Sequence, residues 1–377
     1  MTNYCERYKE RFDKSYEKIL HAYEYKSTDE VPFIVSDVSY WMDGENPNKI
    51  PADYFTNPET MTDYQLKKID NHLERYEDDY IPMLFPWYGT GVIPSALGCN
   101  IQFHEHSDPS VEGTVLKRPE DINKLSMPDP YKDGLMPKVL ETIDYMKAHT
   151  DLPVSFTDPQ GPLNIALCLC GVENLFIWMY EAPKYVHEIM AFSTEVFINW
   201  VKVQKKHMGR ELNAGAFPHG ILLPEAFGGI WLADDDCTIM SAELYKEFVV
   251  PYNATIFKAF GGGTLHFCGS AEHQLENILH TDGCTGVNNF CMGNFKQIYK
   301  MQALYEDKLA LMVCDFAPLH VNTYYKELFS GLRKKGTIVA SFLSEVYALN
   351  QSKYDHVARD TDVLGKEVYE VFQRYCR

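Results

Sequence analysis

Apolar and polar positions along the chain alternate between two periods. Short runs of strand character recur as VPFIVSDVSYW (31–41), DDYIPMLFPWYG (78–89), LPVSFTDP (152–159) and GILLPEAFGGIWLA (220–233). The series continues with GTLHFCG (263–269), GCTGVNNF (283–290), KLALMVCDFAP (308–318) and GTIVASFL (336–343). Between these runs, stretches of helical period span 4–25, 57–77 after an Asn-Pro start, 162–171, about 183–209, 241–260 and 322–336. Strand followed by helix, repeated about eight times, predicts an α/β fold closed as a (β/α)8 TIM barrel. Residues 1–377 read as a single barrel domain with an N-terminal helical extension over about 1–30. Neither a low-complexity linker nor a clear internal repeat is evident in the sequence.

Charge narrows the choice of partner. The 377 residues carry 35 Lys and Arg against 53 Asp and Glu, a net −18, with no basic run to offset it. Such a surface repels nucleic acid and anionic membranes. The first twenty residues are charged throughout, and no apolar stretch approaches the ~18 residues of a membrane span. A cytoplasmic protein is expected. Its ten cysteines are scattered, so they read as free thiols that pack in the core or bind metal.

In a barrel of this kind the chemistry gathers at the C-terminal ends of the strands. Asp158, Asp234 to Asp236, His266, Cys268, Asp315 and Glu345 all fall at or just past a predicted strand end. His266 and Cys268 stand two apart, on one side of an extended strand, where an imidazole and a thiolate reach a common ion. A buried cysteine beside an unrelated histidine remains the other reading. Gly269 and the glycines at 261–263 would let backbone, substrate or cofactor come close.

Asp158, Gln160 and Asp315 are the catalytic candidates. In DPQGP (158–162) the alternative is an ordinary strand-to-helix turn capped by Asp158. Trp41, Tyr88, His219, Glu225, Trp231 and Asp234 are the pocket candidates, the aromatic ones suiting either the core or the face of a flat ligand. HEHSD (104–108) has the composition of a metal cluster but lies in a polar loop far from the rest. Cys314 reads as a small buried apolar residue.

DPQGPLNIALCLCGVENLFIWMYEAP, ADDDCTIMSAELYKEFVVPY and GGGTLHFCG together resemble the uroporphyrinogen decarboxylase superfamily from about residue 30 onward. The H-x-C at 266–268 is similar to the zinc site of its cobalamin-dependent methyltransferase branch. Two departures argue against porphyrinogen decarboxylation. Gly89 stands where that enzyme carries its essential aspartate, and Asp37 and Trp41 stand near its two arginines. A substrate rich in carboxylates needs bidentate cations, which an acid and an indole do not provide.

A third departure concerns the metal. The branch completes its site with a late cysteine, whereas IVASFLSEVYALN (338–350) has none. Glu345 is the candidate third ligand, with Ser344 as an alternative and Cys314, on a different strand from the branch's late cysteine, as a rival. The resemblance therefore implies a Zn2+-dependent methyltransferase working with the corrinoid (cobalamin) of a partner protein. It moves methyl from a small methylated substrate to cobalt, or from cobalt to a thiol acceptor; the carboxylate ligand tilts toward the first, demethylating, direction. A decarboxylase or lyase acting on a small non-porphyrin substrate and a non-catalytic binding protein are the alternatives. A homodimer is left open.

Overall fold

The computed structural model describes residues 3–26, 29–37, 50–105, 107–157, 159–209, 215–216, 221–344 and 360–377. Among the described residues ten strands occur in chain order: β1 (Phe33–Ser36), β2 (Asn100–Gln102), β3 (Ser110–Glu112), β4 (Gly215–Ala216), β5 (Ile221–Leu222), β6 (Trp231–Ala233), β7 (Gly263–Cys268), β8 (Cys284–Phe290), β9 (Ala310–Phe316) and β10 (Thr337–Phe342). Six of them form one parallel sheet in the order β1-β10-β9-β8-β7-β6.

Two extended segments close the sheet into a ring of eight. Gln160 bridges Ala233 on β6, Val154 bridges Leu84, and Asp79 N–H donates to the Phe33 carbonyl of β1 at 2.9 Å. The (β/α)8 barrel expected from the alternation is the fold observed. The two bridging segments are not full strands because Pro82, Pro86, Pro153 and Pro159 interrupt them, and a proline donates nothing to a ladder.

Where the ladder between β1 and the second segment is thin, carboxylates take its place. Asp79 Oδ2 accepts from Phe33 N–H at 3.1 Å and Asp78 Oδ2 from Val35 N–H at 2.9 Å. Arg11 and Lys18, from the helix Lys9–Tyr23, pair with Asp78 and Asp79, each at 3.1 Å. That helix covers the N-terminal end of the barrel, where Tyr23 shares a 2.7 Å hydrogen bond with Thr264 at the foot of β7.

β8 to β10 are buried on both faces, which explains the unbroken apolar runs that marked them. One face meets the outer helices: Asn289 bonds Gln297, and Ser341 bonds Tyr325 at 2.5 Å. The other face fills the lumen, where Phe290 packs on Phe316 and Phe342 at 4.9 and 5.4 Å between ring centres.

The predicted helix 241–260 is two helices, Ala242–Phe248 and Val250–Phe260, because Pro251 cannot continue the first. The run 220–233 likewise divides, into β5, a turn at Glu225–Phe227, and β6. Among the described residues no single helix is long and apolar enough to cross a membrane; Pro162–Cys170 and Val172–Glu181 pass jointly but meet at 102°.

Candidate metal centre

β7 delivers His266 and Cys268 to the same side of the sheet, with the Cys268 Sγ 3.4 Å from His266 Nε2. Their register partners on β8 are Asn288 and Phe290, so this side is the lumen. The strand that places them leads out of the helix Val250–Phe260 through Gly261 to Gly263.

Asn288 sets the state of the imidazole. Its amide nitrogen donates to the Met312 carbonyl at 3.4 Å and to Cys314 Sγ at 3.0 Å, which turns its oxygen toward the ring. That oxygen lies 2.6 Å from His266 Nδ1. Nδ1 therefore carries the proton, and Nε2, beside Cys268 Sγ, holds the lone pair. Burial lowers the His266 pKa, against the opposing pull of Asp235 and the Asn288 bond, so the neutral ring is favoured. Trp231 stacks on the imidazole at 4.6 Å and 24° and fixes its plane.

Asp235 completes the group. It opens the short turn Asp235–Ile239 after β6. Its Oδ1 accepts the Cys268 backbone N–H at 2.7 Å and stands 3.5 Å from His266 Nε2. Nitrogen, sulfur and carboxylate oxygen all lie within 4.8 Å of one another. A tetrahedral zinc with bonds of about 2.0–2.3 Å sets such atoms roughly 3.3–3.7 Å apart; the donor set fits in chemistry, and the two separations from His266 Nε2, 3.4 Å to sulfur and 3.5 Å to oxygen, fit in spacing.

The other expected residues divide by position. Gln160 bridges Ala233, and Ala233 pairs with His266, so Gln160 stands in the same lumenal row; its Oε1 accepts from Asn164 at 2.7 Å. Trp231 is in the group itself. Trp41, Asp158, His219 and Glu345 lie outside the described residues.

Four expectations are corrected by placement. Asp234 follows lumen-facing Ala233 and so points outward, where Tyr245 donates to its Oδ2 at 2.5 Å and Asn253 at 2.9 Å. Asp315, next to lumen-facing Cys314, also points outward, to Tyr324, Cys291 and the Gly293 N–H. Tyr88 is buried against the helix Met136–His149, its hydroxyl 2.6 Å from Thr142.

Glu225 sits at the opposite end of the barrel, paired with Lys205 at 2.8 Å in the turn that precedes β6. The glycines 261–263 belong to that end too. A Cβ on Gly228 would fall 2.0 Å from the Gly262 oxygen, so they permit backbone packing, not ligand approach.

Sequence reasoning missed Asn288, and it set Asp235 at a strand end without naming it as a ligand. Strand parity from His266 across to GVNNF would have found the first; the second depends on a turn whose path the sequence does not state.

Comparison with known proteins places residues 14–213, more than half of the chain, in the family described as uroporphyrinogen decarboxylase (URO-D). The matched stretch ends before the His266 group. A methylated-thiol–coenzyme M methyltransferase of Methanosarcina mazei is 25% identical over 267 residues, which take in 69% of this chain and 65% of that protein. A solved structure of a methyltransferase from Methanosarcina mazei superposes with a TM-score of 0.66 at 17% identity, over 95% of this chain and 98% of the other, a likeness of fold.

Proposed function

From the premise that the chain belongs to the uroporphyrinogen decarboxylase family, we propose that it is a zinc-dependent methyltransferase that takes methyl from a small methylated compound and passes it to the cobalt of a partner corrinoid protein. The observation that carries this reading is the convergence of His266 Nε2, Cys268 Sγ and Asp235 Oδ1 at the lumenal mouth. The likeness to a methylated-thiol methyltransferase supports the same class of chemistry.

His266 and Cys268 would hold the ion, with a carboxylate as third ligand. Asp235 is in position for that role, and Glu345, in the region that follows β10, is the rival. Zinc bound there would act as a Lewis acid on the heteroatom that gives up the methyl group.

The chain's own residues prepare the site. Asn288 keeps the proton on the far nitrogen of the imidazole, as a hydrogen-bonded outer partner does for a ligating histidine. Trp231 holds the ring face, and Phe290, Phe316 and Phe342 fill the lumen alongside. An apolar wall of this kind suits a methyl-bearing substrate.

The test is metal analysis followed by methyl transfer. Purified protein is expected to hold about one zinc per chain, lost in Cys268→Ala, and, supplied with a methylated thiol as donor, to move its methyl to a cobalt(I) corrinoid with release of the thiolate, followed by the corrinoid's absorbance. Metal-free protein that turns over a small carboxylic acid would favour the decarboxylase reading instead.

A further inference from the structure

The helix Pro162–Cys170 starts where the segment that bridges β6 ends, and its first turn carries Asn164 beside Gln160. Asn164 is 8% exposed. Its amide nitrogen donates to Gln160 Oε1 at 2.7 Å, which fixes the way the amide lies. The other atom of that amide, Oδ1, is buried and has no hydrogen-bond partner among the described residues.

A buried acceptor left without a donor costs stability and calls for a reason. Helix capping does not supply one, because the N-cap is Gly161 and its N–H already goes to the Ala233 carbonyl at 2.8 Å. Asp234, Asn253 and Asp315 carry similar orphaned atoms, but behind the sheet, among the outer helices. Asn164 carries its own beside the lumenal row of His266.

That row sets the distance to the donor set of β7. Gln160 bridges Ala233, and Ala233 pairs with His266. Two strand spacings of about 4.8 Å separate these backbones, so the Asn164 amide and the metal-binding group flank a gap roughly 10 Å wide at the backbone. Cys168 lies one turn beyond Asn164 on the same helix face. Its thiol is pushed up to about 11 by burial, with Cys99 and the charge of Asp236 adding to the rise. Asp236 belongs to the turn that also supplies Asp235, so this helix face looks onto the candidate metal centre.

We infer that Asn164 Oδ1 accepts a hydrogen bond from the substrate, and that the substrate carries a hydroxyl or ammonium group a short spacer away from the heteroatom that gives up its methyl. The inference rests on the methyl-transfer reading above and adds the chemical class of the compound. A carboxylate in that place would set acceptor against acceptor. The helix start offers it little in return, because Pro162 has no N–H and that of Gly161 is taken. A site with a buried acceptor rejects an analogue that lacks the donor, since the acceptor then stays unpaired.

The test uses the full zinc-loaded chain and probes matched in shape. In methyl transfer to a cobalt(I) corrinoid, methylthioethanol is expected to exceed methyl propyl sulfide in kcat/KM by about tenfold. With either donor the sulfur–methyl bond breaks, the cobalt–methyl bond forms and the thiolate leaves. In binding alone, read by calorimetry, mercaptoethanol is expected to bind about tenfold tighter than propanethiol, although hydrophobicity by itself ranks them the other way. Asn164→Leu keeps the branched shape without the acceptor, and both ratios are expected to fall to about one or below, with zinc content intact. Asn164→Asp keeps an acceptor and adds charge, so methylthioethylamine is expected to gain about tenfold over methylthioethanol relative to the wild type. A merely structural Asn164 would lower all of these values together and leave their ratios alone. Equal binding of the two thiols, or ratios that neither variant shifts, overturns the inference. Transfer from none of the sulfides overturns the methyl-transfer reading, and the thiol ratios then judge the Asn164 amide by themselves.

Discussion

His266 and Cys268 on β7 differ from Asp37, Asp234 and Asp315 by one residue of parity. All five stand at or just past the C-terminal end of a barrel strand. The first two face the lumen and meet each other at 3.4 Å. The three aspartates face outward, and each is bonded by a side chain of a helix that comes later in its βα unit: Asp37 by His72, Asp234 by Tyr245, Asp315 by Tyr324. Successive strand residues point to opposite faces, so the same end of the same barrel builds a reactive group on one side and helix clamps on the other. Being at a strand end is therefore half of the criterion for a site; the face is the other half.

The sharpest way to break this contrast is to remove the thiolate. Cys268→Ala is expected to abolish zinc retention and to lower methyl transfer by about 10³-fold or more, because one protein donor and the Lewis acid go together. Tm is expected to change little beyond the stabilisation that bound metal adds. Retained stoichiometric zinc, measured by elemental analysis, would move the ion elsewhere.

A smaller effect separates neighbouring carboxylates. Asp235→Asn is expected to weaken zinc binding about 10- to 100-fold, whereas Asp234→Asn, one residue away but outward, leaves it unchanged. Competition against a chelator reads both. Glu345→Gln in the same series distinguishes the two third-ligand candidates: a loss there with none at Asp235 would assign the ligand to the region after β10.

The face criterion also explains how much could be read in advance. The barrel was legible because strand and helix periods alternate about eight times, and H-x-C was legible because its spacing alone keeps both side chains on one side. Asp234 and Asp315 were chosen by position along the chain, without parity, and both proved to be clamps. Asp235 was set at a strand end but not read as a ligand, because a turn, not a strand, brings it to His266 and Cys268. The prolines of 78–89 and 152–159 hid how little regular strand those segments contain. Glu225 was misplaced because GILLPEAFGGIWLA reads as one apolar run, although its glycines turn the chain at the foot of the barrel.

The clamps carry their own pH signature. Burial pushes Asp234 up to about 7, opposed by the bonds from Tyr245 and Asn253. One of its oxygens, Oδ1, is buried without a hydrogen-bond partner among the described residues. A carboxyl whose pKa is raised by folding contributes stability that is fully present below pH ~4 and is lost as pH rises through ~7. Asp234→Asn keeps an acceptor toward Tyr245 and Asn253 while removing the charge. Relative to the wild type it is expected to gain on the order of 2 kcal/mol between pH 5 and pH 8, read from denaturant midpoints. A parallel pH profile in the two proteins would mean that Asp234 is ionised without cost.

The smallest expected effect tests the other clamp. Burial pushes Asp315 up to about 6, and the donors Cys291 and Tyr324 hold it from going higher. Tyr324→Phe removes one of those donors. Above the Asp315 pKa the buried carboxylate then keeps fewer bonds, so the variant is expected to lose about 1–2 kcal/mol at pH 8. Near pH 5 the carboxyl is mostly protonated in both proteins, and the difference shrinks. Zinc content should not move at either pH, because the hydroxyl lies on the helix side of the sheet. A Tyr324→Phe protein that lost its zinc would show that the two faces of the sheet are coupled, and that the division between reactive group and clamp does not hold.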